Sequence, residues 1–286
     1  MFSASYFYAP LPHHLPGILM ASKKKFLVVT DLDASLLDHS YSWYEAKPAL
    51  VRLRDLGLPL VLNSSKTVAE MKDLAMELGL DSPLVAENGG VLAIPKELPG
   101  DYSVQMQGLS RQEILEAAHE LRSKMDYTFE GFADWSDQEL AERTGLSIAQ
   151  SQRSRARLAT EPFLWSDTES RRLAFAEQLS AQEIRMLRGG RFWHLMGASD
   201  KADGTASALK YYQKLEPDTD WRVVALGDSA NDTAMLEAAD IAVVIPHSDG
   251  AHISPRAPRV VHAPFPASKG WNAAILLLLE EYCEYC

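Results

Sequence analysis

Residues 27–38, LVVTDLDASLLD, set four apolar or β-branched residues directly before two carboxylates, Asp31 and Asp33. On a strand, residues i and i+2 face the same side. A buried strand ending here therefore holds two like charges close together. They repel unless a cation or a shared proton lies between them.

The segments that follow read as alternating strands and helices. Residues 26–30 form a first strand, and KPALVRLRDLG (47–57) a helix with Pro48 in its first turn and Gly57 at its end. LPLVLNSS (58–65), KTVAEMKDLAMELGL (66–80) and SPLVAENGGVLAIP (82–95) continue as strand, amphipathic helix and strand. The run is βαβαβ, the pattern of a parallel sheet covered on both faces.

From about residue 98 to 195 the pattern changes. Helix candidates SRQEILEAAHELRSKM, SDQELAERTG, SIAQSQRSRARLA and TESRRLAFAEQL dominate, with short strand candidates YSVQMQ, IRMLRGG and RFWHLMG among them. Alternation then returns through KADGTASALKYYQKL, WRVVALGDS, NDTAMLEAA, IAVVIP and RVVHA to a terminal helix starting at Lys269 or Gly270. The expected fold is α/β, a Rossmann-like doubly wound parallel-sheet core over residues 25–97 and 196–286, interrupted by an inserted α+β cap over 98–195.

Composition narrows the function. The 286 residues carry a net charge of −11, which speaks against nucleic-acid binding because phosphate backbones need a basic footprint. No apolar run approaches the roughly 18 residues of a membrane span. Cys283 and Cys286 are the two cysteines and read as incidental tail thiols, so a reducing cytoplasm is expected. Residues 1–24 lack a periodic pattern and a basic segment ahead of their apolar part. They read as a disordered extension without a fold role, with Met20 offering a second start.

In open parallel sheets the site lies beyond the carboxyl ends of the strands. That rule brings Asp31 and Asp33, then Ser64, Ser65 and Lys66, then Gly227, Asp228, Asn231 and Asp232 to one mouth, with Lys201 opening the helix after the insertion. Four carboxylates gathered there call for a divalent, oxygen-seeking cation, and Mg²⁺ with a substrate phosphate suits such a set.

DLDASLLD, NSSK, Lys201 and GDSAND together resemble, in order, the four motifs of the haloacid dehalogenase superfamily. VAENGG, RARLATEPFLW and GGRFWHLMGASDKADGTASAL resemble its mannosyl-3-phosphoglycerate phosphatases. The resemblance implies that Asp31 is the nucleophile, Asp33 the general acid and base, Ser64 a donor to the phosphoryl group, and Lys201 a partner of both phosphate and Asp31. It also implies that Asp31, the Asp33 backbone carbonyl and Asp228 hold Mg²⁺, with Asp232 and Asn231 in support. Two departures stand out: Ala34 and Ser35 occupy positions where the superfamily usually has Gly-Thr, and Ser65 stands where glycine is common. If position 34 needs a positive φ, alanine costs about 1 kcal/mol there.

Arginines gather in the latter half of the insertion, and their planar forks suit carboxylate and phosphate. Arg153, Arg157 and Arg191 are expected at the substrate, with Ser65, Lys66, Asn88 and His194, while Arg155 reads as solvated and Trp193 as core. The expected partner is a small phosphorylated sugar or glycerate, bound by a monomer or homodimer with no nucleic acid or membrane. Glucosyl-3-phosphoglycerate and sucrose phosphate remain alternative substrates, and a catalytically silent phosphometabolite-binding module remains an alternative function.

Overall fold

The computed structural model describes residues 23–284. The first half of the chain runs β1 (Lys23–Thr30), α1 (Lys47–Asp55), β2 (Leu60–Asn63), α2 (Val68–Glu77), β3 (Leu84–Ala86), β4 (Val91–Pro95) and β5 (Tyr102–Met106). Next come α3 (Arg111–Met125), β6 (Phe129–Gly131), α4 (Asp137–Thr144), α5 (Ile148–Arg155), β7 (Thr160–Trp165), α6 (Glu169–Ser180), β8 (Arg185–Arg188) and β9 (Trp193–Met196). The chain closes with α7 (Lys201–Leu215), β10 (Thr219–Gly227), α8 (Thr233–Glu237), β11 (Ile241–Val244), β12 (Arg259–His262) and α9 (Ala267–Glu284).

Eight strands form the main sheet in the order β12-β11-β10-β1-β2-β3-β4-β5. The first six in that order pair in parallel, and β4 and β5 add an antiparallel edge. Alternate residues of β1 supply opposite faces. Val28 packs with α1, α2 and α9 through Ala49, Leu53, Met71, Ala75 and Trp271. Leu27 and Val29 pack with α7 and α8 through Ala208, Tyr212, Met235 and Leu236. Because both faces are covered, the central strands are apolar throughout rather than alternating with polar residues. The fold is the expected α/β, with a mixed, mainly parallel sheet.

The second sheet, β6-β7-β9-β8, is antiparallel throughout. Ile114, Phe129, Phe163, Phe175, Leu179 and Leu195 form its own buried core against α3 and α6. Two chain crossings join it to the main sheet, one between β5 and α3 and one between β9 and α7.

The structure differs from the sequence reading at several element boundaries. β1 starts at Lys23, three residues before the expected strand, because Lys23 and Lys24 pair with Thr219 and Asp220. The two lysines therefore belong to the sheet rather than to an extension; residues 1–22 and Cys286, also assigned from sequence, lie outside the described residues. YSVQMQ, read as part of the insertion, is β5 on the edge of the main sheet. β6 and β7 were not foreseen. Pro162 within β7 argues against an interior strand, since it cannot donate to a ladder. It is accommodated where β7 has a single strand partner: Pro162 pairs with His194 of β9, and β6 pairs only with residues 163–165.

Candidate active site

The parallel register sets Thr30 level with Leu226 of β10 and Leu62 of β2, so the three strands end together. Asp31 is the next residue, its N–H donating to the Leu226 carbonyl at 2.9 Å. Its carboxylate is buried and meets Lys201 Nζ at 2.6 Å. Lys201 has no solvent exposure and reaches Asp232 Oδ1 at 2.5 Å on its other side. Burial alone would lower the Lys201 pKa, but Asp232 and Asp31 outweigh it and hold the ammonium above its ordinary range.

The backbone around this lysine is fixed locally. Asp200 caps α7 by accepting from the Ala202 and Asp203 N–H groups, and Asp203 returns the bond to the Asp200 N–H. Buried Asn63, at the end of β2, donates to the Lys201 carbonyl at 2.9 Å and to Thr205 Oγ1 at 3.1 Å. Helix position, cap and strand end thus agree on where the ammonium sits.

Asp31, Asp228 and Asp232 each place a carboxylate oxygen within 4.8 Å of the others. Burial pushes Asp31 well above the usual carboxylate range; Lys201 opposes this, while Asp232, Asp228 and Asp33 add to it. Asp228 is raised as well, by burial and then by Asp232. One lysine does not balance this much negative charge, and an all-oxygen, carboxylate-rich donor set fits a hard divalent cation. The three acids are not equivalent. Asp232 Oδ2 already accepts from the Asp228 and Ser229 N–H groups at 3.1 and 3.0 Å, so it organises the loop. Asp228 accepts from Ser35 Oγ at 3.0 Å and faces His247 Nε2 at 2.9 Å. His247 was not anticipated, although it follows the end of β11 and so opens on the same mouth.

The Asp33 carboxylate is not part of the triad. It is half-exposed and paired with Lys66 Nζ at 2.8 Å, so Lys66, expected at the substrate, holds the candidate acid instead. Burial works to lower the Lys66 pKa, yet the Asp33 charge keeps it raised. Asp38 organises the turn that follows, accepting from the Ser40 and Ser42 N–H groups.

Ala34 has φ +60°, so the positive φ considered from sequence is present. Ser35 is buried and its hydroxyl holds Asp228, a contact that glycine's usual neighbour threonine would also offer. Ser64 is buried, and no partner for the Ser65 N–H occurs among the described residues. Ser64 Oγ accepts from the Lys66 N–H at 3.3 Å, so its proton and the Ser65 N–H are the donors left for an anion. Asn88, with φ +56°, accepts from Asn231 Nδ2 at 3.2 Å across the mouth.

The insertion's arginines distribute differently from the expectation. Arg157 is buried, donating to the Ser65 carbonyl at 2.6 Å and to Thr160 Oγ1 at 2.9 Å. Arg191 donates to the Arg143 and Thr144 carbonyls, and Arg153 lies 3.6 Å from Asp73. Arg155, expected in solvent, pairs with Asp137 at 2.5 Å. Each guanidinium meets a strong local acceptor, and a free carbonyl at a helix end is one that sequence spacing does not reveal. Arg185 likewise donates to carbonyls, those of Gly197 and Ser199 at 3.0 and 2.6 Å, yet it borders the site. It lines a cavity of about 220 Å³ with Asn88, Met196, Lys201 and Asn231, between β8 and the main sheet. Trp193 packs in the second sheet's core, as expected. His194 turns the other way, its buried Nδ1 without a partner, and burial and then Arg157 press its pKa down to about 3.

A family model for haloacid dehalogenase-like hydrolases matches residues 28–161. A Thermoplasma acidophilum protein is similar in structure, with a TM-score of 0.64 at 16% identity over 90% of this chain and 99% of that one. A phosphatase of the haloalkanoate enzyme superfamily from Bacteroides thetaiotaomicron gives 0.63 at 17% identity over 93% and 98%. A protein described as a subclass IIB sugar phosphatase gives 0.59 at 14% identity over 90% and 99%. Residues 28–161 thus match that family model, and the described chain shares the fold of these solved structures. Lys201, Asp228 and Asp232 lie beyond the matched segment and join Asp31 through the geometry above.

Two substitutions test this arrangement. Ala34→Gly relieves the left-handed strain and is expected to raise stability by about 1 kcal/mol, a Tm gain of ~2–4 °C; a lower Tm contradicts it. His194 is neutral when folded, whereas the unfolded chain takes up a proton below about pH 6.5. The unfolded state then binds more protons, so stability is lost as pH falls from there toward 3. Urea midpoints measured at pH 7 and pH 5 are expected to drop further in the wild type than in His194→Gln.

Proposed function

We propose that the protein is a Mg²⁺-dependent phosphatase that hydrolyses mannosyl-3-phosphoglycerate to mannosylglycerate and phosphate. The observation that carries the reading is the buried Lys201–Asp31 contact at 2.6 Å beside Asp228 and Asp232. A carboxylate meant to attack a phosphoryl dianion needs a nearby cation that leaves one of its oxygens free, and Lys201 touches only Oδ1 of Asp31.

In the proposed reaction Asp31 Oδ2 attacks phosphorus, forming a new P–O bond as the bond to the glycerate oxygen breaks. Asp33 gives its proton to that leaving oxygen. The same carboxylate then takes a proton from a water that attacks the aspartyl-phosphate. The bond from phosphorus to Asp31 breaks, phosphate leaves, and both side chains return to their starting forms. Ser64 Oγ and the Ser65 N–H donate to the phosphoryl oxygens, and Lys201 offsets charge gathering on them. Asp31, Asp228 and the Asp33 carbonyl, with Asp232 behind, would hold Mg²⁺, which would supply further charge neutralisation.

The inserted unit, expected over residues 98–195, acts as a cap that selects the substrate. Carboxylate recognition falls to Nη1 of Arg185, whose Nε and Nη2 hold the Gly197 and Ser199 carbonyls, because Arg185 lines the cavity beside Lys201 and Arg153, Arg157 and Arg191 do not. The sugar phosphatase described among the structural neighbours supports a phosphorylated sugar as substrate class. No helix among the described residues is long and apolar enough to cross a membrane; a cytoplasmic monomer or homodimer belongs to the proposal.

The test is phosphate release from mannosyl-3-phosphoglycerate, glucosyl-3-phosphoglycerate and sucrose phosphate, each with Mg²⁺ and with chelator. The mannosyl compound is expected to give the highest kcat/KM, chelator to abolish turnover, and Asp31→Asn to lower kcat at least 10³-fold, on the order of a lost nucleophile. Undiminished turnover in Asp31→Asn removes the nucleophile from the scheme. A faster second compound replaces the substrate.

A further inference from the structure

The turn after β3 contains an acid that the reaction above does not use. Glu87 is buried, with 1% exposure, and its carboxylate lies between the two sheets. It accepts from the Leu158 N–H at 2.8 Å, the Ala159 N–H at 3.0 Å and Thr160 Oγ1 at 2.7 Å, all at the entry to β7. Its own backbone faces the other way: the Glu87 N–H donates to the Lys66 carbonyl and the Asn88 N–H to the Ser64 carbonyl, both at 2.9 Å. The intervening Ser65 carbonyl is taken by Arg157, the residue just before Leu158.

Three consecutive carbonyls of the 64–66 loop are thus held by one unit that spans both sheets. With its carbonyls fixed, the loop has little freedom to rotate its peptide planes. The Ser65 N–H and the proton of the Ser64 hydroxyl, whose oxygen accepts from the Lys66 N–H at 3.3 Å, are the donors it leaves for an anion. The holding unit is itself under constraint. Glu87 and Asn88 have φ of +53° and +56°, a region that costs side-chain-bearing residues energy and persists only where surroundings over-determine it. A Cβ on the next residue, Gly89, would lie 1.8 Å from the Asp200 carbonyl oxygen, so the turn also touches the cap of α7.

We propose that Glu87 is a positioning residue that registers the inserted unit on the 64–66 loop, so that docking of the second sheet sets the anion-binding geometry of Ser64 and Ser65. The clasp sits beside the first crossing, where the Arg111 N–H bonds the Leu158 carbonyl at 2.6 Å. The β8 edge lies over the cavity beside Lys201. That edge is tied separately, beside the second crossing, where Arg185 donates to the Gly197 and Ser199 carbonyls. The assignment of anion binding rests on the phosphatase reading; the mechanical coupling does not.

Glu87→Gln keeps the volume but turns one acceptor oxygen into a donor facing another donor. Hydrogen exchange of the intact protein is compared with wild type, using residues 223–226 of β10 as an internal control. Exchange is expected to rise at least tenfold in both 158–160 and 64–67, with the control unchanged. Faster exchange at 158–160 alone, or at neither segment, overturns the coupling. If Glu87→Gln does not fold, Arg157→Lys, which removes the guanidinium donor to the Ser65 carbonyl, is read by the same criterion. In the folded variant, kcat for p-nitrophenyl phosphate with Mg²⁺ is expected to fall on the order of tenfold at nearly constant KM, the pattern of a lost transition-state contact. An unchanged kcat overturns the positioning role. A wild type inactive on every phosphate ester refutes the phosphatase reading, and the exchange comparison still decides the clasp.

Discussion

The ammonium of Lys201, fully enclosed and touching both Asp31 and Asp232, is the contact on which the site depends. Removing one partner of a buried charge pair leaves the other uncompensated, at roughly 3–5 kcal/mol. The surroundings are accordingly built to keep the pair intact. Asn63 holds the Lys201 carbonyl, the Asp200 capping box starts α7 at that residue, and Asp232 is fixed through two backbone N–H groups. Even so, the charge is not balanced, because Asp228 lies beside the pair and both it and Asp31 are pushed toward protonation. That residual repulsion is what a divalent cation would relieve.

Much of this was legible in the sequence because it follows from strand ends. An apolar run that stops at an acid marks both a buried strand and the mouth of a parallel sheet, so Asp31, Ser64 and Asp228 could be brought together from periodicity alone. The strain at Ala34 was also readable, since alanine stands where the resembled superfamily usually has glycine, and its φ is +60°. What periodicity cannot reveal is which donor meets which acceptor across elements. Arg157 and Arg191 have the chemistry for a substrate carboxylate, but backbone carbonyls brought near by folding take them first. Lys66 likewise meets Asp33, and Pro162 hid β7 because its missing donor matters only where a second strand would need it.

The second sheet has a different physical character from the first. Its core is an aromatic cluster of Tyr127, Phe129, Phe163, Trp165 and Phe175, with ring centroids separated by between 5.2 and 6.3 Å for the pairs in contact. Such a core is self-sufficient, so its attachment to the main sheet can rest on a few polar contacts rather than on a broad apolar interface. Glu87, Arg157 and the Thr67 hydroxyl, which donates to the Arg153 carbonyl at 2.8 Å, provide them. This division leaves Asp31, Ser64 and Asp228 at the ends of main-sheet strands, with the β8 edge carried by the second sheet.

The most direct measurement is chemical trapping of residue 31. The protein is mixed with Mg²⁺ and a hydrolysable phosphate ester, quenched in acid, reduced with borohydride and digested for mass spectrometry. An aspartyl-phosphate is reduced to homoserine, so the peptide containing residues 27–38 is expected to carry homoserine at position 31 and unmodified aspartate at position 33. Turnover with no homoserine at position 31, or with homoserine at another acid, contradicts nucleophilic attack by Asp31.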